Sequence, residues 1–177
     1  SRKKRILFVV TEDWYFLSHR VPLALEAKEN GYEVALLTNI TEHEKDIKAL
    51  DIKLFPWRLN RGSFNPYHEF RSLFSALKVL KEYRPDLLHA VAMKPVIYGS
   101  LLCGVLGLKS KILALAGLGY VFRSKSFRAF ILKPVLAMCL KLSLLGKKTL
   151  MIVQNKDDKS CLEDAGVPGE KIKIIRG

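Results

Sequence analysis

The stretch TEDWYFLSHR, residues 11–20, sets two carboxylates, a histidine, an arginine and three aromatic rings within ten positions. Glu12 or Asp13 could accept the proton of an attacking hydroxyl, the task of a general base. His19 and Arg20 offer donors and charge to an anion, and the first turn of a helix beside them would add its own attraction. The plainer reading of the same residues is a polar loop and a solvated first turn. Trp14, Tyr15 and Phe16 are unusual for an exposed loop and suggest that it meets something apolar: a lipid, a sugar face or another domain.

Three further stretches carry groups of this kind. In AMK (92–94), Lys94 stands just before Pro95, where a helix start would let its ammonium reach a phosphate. In GLGYVF (117–122), Gly117 and Gly119 would either let the chain pass close to a ligand or make a tight turn. QN (154–155) is the third. His89 lies inside an apolar run rather than after one, which suits a core histidine satisfied by hydrogen bonds. Neither a GxGxxG fingerprint nor a Walker A loop follows the first apolar segment, so neither standard phosphate cradle is present there.

These groups need elements to hold them in place. Seven apolar segments have the length of strands: 6–10, 34–38, 52–55, 87–91, 112–116, 150–154 and 172–175. Most are continuous runs without alternation, as in a parallel sheet covered on both faces. Between them lie helix signals. Ser18 caps a helix with Pro22 in its first turns, ended by Gly31. Asn65-Pro66 opens a second, whose Phe70, Leu73, Phe74, Leu77 and Leu80 fall on one face. Pro95 opens a third, and Asn155 caps a fourth with Asp157 and Asp158 in its first turn. The pattern is α/β: a Rossmann-like open parallel sheet of about seven strands with helices on both faces, forming one domain over residues 1–177. In such a sheet ligands bind at the carboxyl ends of the strands, which is where the four stretches and TN (38–39) fall.

Composition narrows the setting. Apolar residues make up 49% and charged residues 27%, which excludes a disordered chain. Cys103, Cys139 and Cys161 are odd in number and widely spaced, so neither a disulfide framework nor a zinc site is expected, and a cytoplasmic setting fits. No secretory signal is visible near the first strand. The net charge of +13 is unevenly spread, with no acidic residue between Asp86 and Asp157. Nucleic acid, anionic lipid and phosphate-bearing substrates would all be attracted to such a block. Against a nucleic-acid module, the aromatic rings cluster in one loop and are not interleaved with the basic residues.

Three stretches taken together resemble the N-terminal half of family 4 glycosyltransferases: DWYFLSHRVPLALEAKENGYEV (13–34), RPDLLHAVAMKPVIYG (84–99) and ALAGLGYVF (114–122). The likeness is nearest to a bacterial subgroup that extends lipid-linked oligosaccharides and surface polysaccharides. It implies one half of the GT-B architecture, with a nucleotide-sugar-binding domain following residue 177. It implies sugar transfer from a nucleotide sugar to an acceptor hydroxyl with retention at the anomeric carbon, no obligatory metal, and no turnover by these 177 residues alone. By position it places Trp14, His19, Arg20, Lys94, Gly117, Gly119 and Tyr120 in the cleft, with His19 and Asp13 as catalytic candidates. An inverting reaction with Glu12 or Asp13 as base is the competing chemistry. The chain departs from many family members in having no glycines after the first strand and Ala116-Gly117 where they have histidine.

The segment 123–148 is long and apolar enough to raise a membrane span. Lys133 and Lys141 near its middle would cost about 2.5–3.5 kcal/mol each, which its apolar residues, at about 0.3–0.6 kcal/mol apiece, do not outweigh. The segment is expected as a crossover helix whose basic end, with Arg123, Lys125 and Arg128, rests on an anionic membrane. That makes the protein peripheral at the inner face of the plasma membrane.

Overall fold

A computed structural model describes residues 2–59, 65–115, 118, 127–146 and 148–176. Seven parallel strands form a single sheet: β1 (Arg5–Glu12), β2 (Glu33–Asn39), β3 (Lys53–Pro56), β4 (Leu87–Val91), β5 (Ser110–Ala114), β6 (Lys148–Val153) and β7 (Ile172–Ile174). Their spatial order is β3-β2-β1-β4-β5-β6-β7. Each apolar run expected as a strand falls on one of these, within a residue or two at its ends, and Ala116 of the run 112–116 lies outside the described residues. The helices are α1 (Asp13–His19), α2 (Val21–Glu29), α3 (Glu44–Ala49), α4 (Pro66–Tyr83), α5 (Met93–Leu106), α6 (Phe127–Ser143) and α7 (Lys156–Asp164).

The order explains the layering. The chain moves one way from β1 to β3, then reverses and moves the other way from β4 to β7. Right-handed crossovers put helices on opposite faces for opposite directions of travel. Accordingly α1, α2 and α3 pack over Ile6, Phe8, Val10 and Leu36. Helices α4 to α7 pack over Leu7, Val9, Leu88, Leu113 and Met151. Both faces are covered around β1, as its unbroken buried run Ile6–Val10 requires. Beyond β5 one face lacks a described helix, and Leu150 of β6 is 39% exposed there.

Two local expectations change. The helix expected from Ser18 is two helices, broken at Arg20. Pro22 has no N–H, and in an unbroken helix its ring would meet the Ser18 carbonyl. Ser18 is therefore no cap; its hydroxyl donates to the carbonyl of Trp14 in the last turn of α1 at 2.9 Å. Asn65 does cap α4, accepting from the Tyr67 N–H at 3.0 Å. However, α4 turns Ser72, Ala76, Val79, Leu80 and Tyr83 inward, leaving Phe70 at 70% and Phe74 at 50% exposed. The rotation follows from the β3–α4 connection. Trp57 Nε1 donates to the Ser72 carbonyl at 2.9 Å, and Ser72 Oγ donates to the Arg58 carbonyl at 2.6 Å. These bonds tie Ser72 to the inner face, and Ala76, Val79, Leu80 and Tyr83 follow it there at helical spacing.

Candidate functional site

The reversal of direction lies between β1 and β4, and the crevice above their carboxyl ends is where an open α/β sheet binds ligands. A cavity of about 480 Å³ runs into it, with Glu12, Tyr15, Arg20, His89, Ala92 and Gln154 among its lining residues. A second hollow of about 790 Å³ lies on the other side of Glu12, with Asn39, Arg58, His68 and Arg71 in its wall. A larger one, about 960 Å³, opens at the opposite edge around the Arg2–Asp86 ion pair and holds none of the expected site residues.

Glu12 ends β1 and faces both hollows, held by the Asn39 amide donating to Oε2 at 3.0 Å. Asp13, the next residue, has a different role. It is fully buried and accepts from the Thr41 hydroxyl at 2.7 Å and from the N–H groups of Thr41, Trp14 and His43 at 2.8, 2.8 and 3.2 Å. Burial pushes its carboxyl pKa up, but the bonds from Thr41, His43 and Trp14 outweigh this and hold it below the ordinary value. With its acceptor positions taken, Asp13 organises the β2–α3 loop and is not placed as a base.

His19, the other candidate, ends α1 rather than opening a helix. Its ring stacks on Tyr15 at 4.4 Å between centroids, and Nδ1 lies 2.7 Å from the Ser18 hydroxyl. Trp14 is exposed, edge-on to Tyr15. Arg20 is the residue that the break turns inward. It sits between the two helices with its guanidinium 6.0 Å above the Tyr15 ring, and its Nε is buried with no partner among the described residues. Lys94, expected to reach a ligand, stands in the first turn of α5 beside the carboxyl end of β4. Its Nζ donates to Glu69 at 2.8 Å, and Tyr98 donates to the other oxygen of the same carboxylate.

His89 was expected as a satisfied core residue. It is in the core, 3% exposed and packed 5.1 Å from the Phe8 ring, but neither ring nitrogen has a partner among the described residues. Burial, with Arg20 nearby, pushes its pKa down to about 3, so the ring is neutral at pH 7. The signal lay in the alternation of β4. His89 and Val91 point to the face carrying α1 and α2, toward the cavity. Directly after β4, Ala92 takes φ +81° and ψ 165°, tied by its N–H to the Ala114 carbonyl at 3.0 Å. A residue with a Cβ pays about 1–3 kcal/mol for such a backbone, and strain of that kind concentrates where a fold must hold a site.

Leaving buried polar atoms unpaired costs about 1–3 kcal/mol each. Arg20 Nε and the His89 ring carry that cost beside one cavity, as suits a site that receives an oxyanion or hydroxyls. Among the described residues no cluster of three or more histidine, cysteine, aspartate or glutamate side chains could hold a metal ion. Of the other expected site residues, Gly117, Gly119, Tyr120, Arg123 and Lys125 lie outside the described residues, and Arg128 is described through its backbone alone.

Comparison with known proteins bears on the family and the fold. The family model described as "Glycosyl transferase 4-like" matches residues 5–155. A Campylobacter jejuni protein, N,N'-diacetylbacillosaminyl-diphospho-undecaprenol alpha-1,3-N-acetylgalactosaminyltransferase, is 24% identical over 169 residues, covering 91% of this chain and 45% of its own. A glycosyltransferase from Rickettsia africae superposes with a TM-score of 0.69 at 18% identity, over 99% of this chain and 43% of its own. A UDP-GlcNAc 2-epimerase from Neisseria meningitidis, bound to UDP-GlcNAc, superposes at 0.65 with 15% identity, over 96% and 45%. The chain thus spans just under half the length of these proteins. A transferase and an epimerase share its fold, so the fold alone does not choose the reaction.

Proposed function

The chain belongs to the glycosyl transferase 4-like family, and from that membership we propose that it forms the acceptor-side half of an enzyme extending a lipid-linked glycan. An acceptor hydroxyl attacks the anomeric carbon of a nucleotide sugar. The bond from that carbon to the diphosphate oxygen breaks, and the nucleoside diphosphate leaves with the electron pair. The hydroxyl proton passes to a base. The transfer retains the anomeric configuration, and a domain beyond residue 177 holds most of the nucleotide sugar.

One observation carries this reading. At the β1/β4 crevice, Glu12, an Arg20 Nε without a partner among the described residues, and the neutral His89 ring border a single cavity. Arg20 supplies positive charge toward a phosphate of either substrate, and His89 can donate to or accept from a sugar hydroxyl. Glu12 stands at the mouth, where a carboxylate can orient or deprotonate the acceptor. Because a lipid anchors that acceptor, the enzyme works at the inner face of the plasma membrane, where the positive charges of Arg123, Lys125 and Arg128 would favour anionic lipid.

A second reading keeps the transfer and inverts the configuration. Its support is specific: Asp13 is committed to the β2–α3 loop, whereas Glu12 faces both hollows. The test is incubation of the full-length protein with UDP- and GDP-sugars and a detergent-solubilised lipid-diphosphate glycan. The proposal expects an acceptor one sugar heavier, with the donor's anomeric configuration. An acceptor of unchanged mass with every donor would refute it, and the opposite configuration would establish inversion.

A further inference from the structure

The larger hollow, about 960 Å³, lies at the amino edge of the sheet, away from the cleft. Leu87 at the start of β4 lines it, and Ala92 just past the end of β4 lines the cleft cavity. Five strand steps of about 3.3 Å put about 17 Å between the two. Six cations border the hollow: Arg2 and Lys4 ahead of β1, Lys81 and Arg84 at the end of α4, Lys109 ahead of β5, and Lys148 opening β6. The one acid among the described lining residues, Asp86, accepts from two Arg2 guanidinium nitrogens at 3.0 and 2.8 Å and from the Arg5 N–H at 2.8 Å. Glu33 on β2 and Glu82 on α4 pair with Arg5 and Lys53. The side chains of Lys4, Lys81, Arg84, Lys109 and Lys148 are exposed and make no hydrogen bond or ion pair among the described residues. A single exposed lysine needs no explanation, but five around one hollow repel each other.

The backbone of Arg84 points the same way. Two helices end at this hollow, and both close with a residue in the left-handed region. Helix α5 uses Gly107, at φ +68°, where glycine has no Cβ to clash. Helix α4 uses Arg84, at φ +48° and ψ 65°, its N–H donating to the Leu80 carbonyl at 2.9 Å. A side chain there costs energy that glycine would not, and such strain persists where a fold holds a site. A cation at a helix C-terminus gains from the macrodipole, but Lys81 in the last turn already supplies one. The dipole of α4 also gives no reason for Lys4, Lys109 and Lys148, which stand at the starts of strands. Leu80 and Leu87 give the hollow an apolar wall, and walls of low dielectric focus the field of like charges.

We propose that this hollow binds a soluble oligophosphate, an inorganic or nucleoside chain of two or more phosphates, through Lys4, Lys81, Arg84, Lys109 and Lys148. A single phosphate would leave most of these cations unbalanced, whereas a chain of phosphates offers an oxyanion to each in turn. The hollow is concave and of ligand size, while a bilayer or a nucleic-acid duplex presents a flat or convex face that meets the rim alone. The site shares no residue with the cleft cavity and stands whether or not the chain transfers sugars.

The test is isothermal titration of the full chain with tripolyphosphate, against sodium sulfate at equal ionic strength. The wild type is expected to bind tripolyphosphate at least about tenfold more tightly than sulfate. The double variant Lys109→Gln/Lys148→Gln, changed at exposed positions, is expected to melt like the wild type and to bind at least about tenfold more weakly. Arg84→Gly separates binding from structure, because it is expected to keep or raise the melting temperature while weakening binding. Arg20→Gln, at the cleft, is expected to bind tripolyphosphate as the wild type does. ATP run alongside distinguishes the nucleoside from the inorganic chain, and tight binding of either at the hollow supports the site. Binding no tighter than that of sulfate would overturn the proposal, as would undiminished binding by either folded variant of the hollow. Loss in Arg20→Gln with retention in the double variant would place the anion in the cleft. Sedimentation with phosphatidylglycerol vesicles but no uptake of tripolyphosphate would give the hollow to lipid headgroups. Either result would also overturn it. Failed sugar transfer with intact tripolyphosphate binding would count against the transferase reading alone.

Discussion

The Lys94 ammonium lies 2.8 Å from a Glu69 carboxylate oxygen, and Tyr98 donates to the other oxygen of that carboxylate. Both members of the ion pair are largely buried, at 15% and 19% side-chain exposure. Helices α4 and α5 are thereby pinned at their N-terminal ends, beside the cleft. Glu69→Ala leaves a largely buried ammonium without this carboxylate and is expected to cost about 1–3 kcal/mol. Urea unfolding measures it. A change within about 0.5 kcal/mol, the usual range for surface positions, would mean that the pair is solvated and does not fix the helices.

Asp13 yields a second prediction, because its bonds make it a structural carboxylate. Asp13→Asn is expected to destabilise the fold by about 1–3 kcal/mol near neutral pH, since an amide cannot accept from donors on both sides. The folded pKa lies below the unfolded one, so this contribution is complete above the unfolded value near 3.8 and is lost as pH falls through the folded value. The gap between wild type and variant should therefore close in acid. A variant of wild-type stability with abolished transfer would return Asp13 to catalysis.

His89 controls a separate pH window. Its pKa is pushed down to about 3, against 6.5 unfolded. Its contribution is full above 6.5, and as pH falls from there the unfolded chain binds a proton that the folded chain refuses. Stability should then drop by up to about 1.4 kcal/mol per pH unit until the folded value is reached. His89→Gln is expected to flatten this slope, as read from urea midpoints near pH 7 and near pH 5. An unchanged slope would show that the ring is protonated in the folded protein.

Much of the fold was legible because parallel strands buried on both faces must be continuous apolar runs, and ILFVV, VALLT and LLHAV are such runs. The carboxyl edge was legible for the same reason, as strand ends are countable. Orientation was less so. The apolar period of α4 put Phe70 and Phe74 on one face with Leu73, Leu77 and Leu80, but the inward face was decided by Trp57 and Arg58 bonding to Ser72, a tertiary contact with no local signature. Ser18 looked like a cap because Pro22 follows, whereas the proline breaks one helix from another. That break places Arg20 in the cavity. Lys94 was expected at a ligand, and only the packing of α4 against α5 brings Glu69 to it.

The central claim is that the cavity above β1 and β4 is the acceptor-side site, with Arg20 as a binding residue in it. The most direct measurement is kcat/KM for sugar transfer to the lipid-linked acceptor by full-length wild type and Arg20→Gln, with the melting temperature of each. Arg20 Nε has no partner among the described residues, and the group's other contacts are weak, a 6.0 Å approach to the Tyr15 ring and a 3.5 Å bond from Nη1 to the exposed His19 carbonyl, so the substitution gives up little in the fold. Loss of one charge-assisted hydrogen bond to substrate is expected to lower kcat/KM by about 10- to 100-fold with the melting temperature unchanged. Transfer at the wild-type rate by Arg20→Gln would contradict the account.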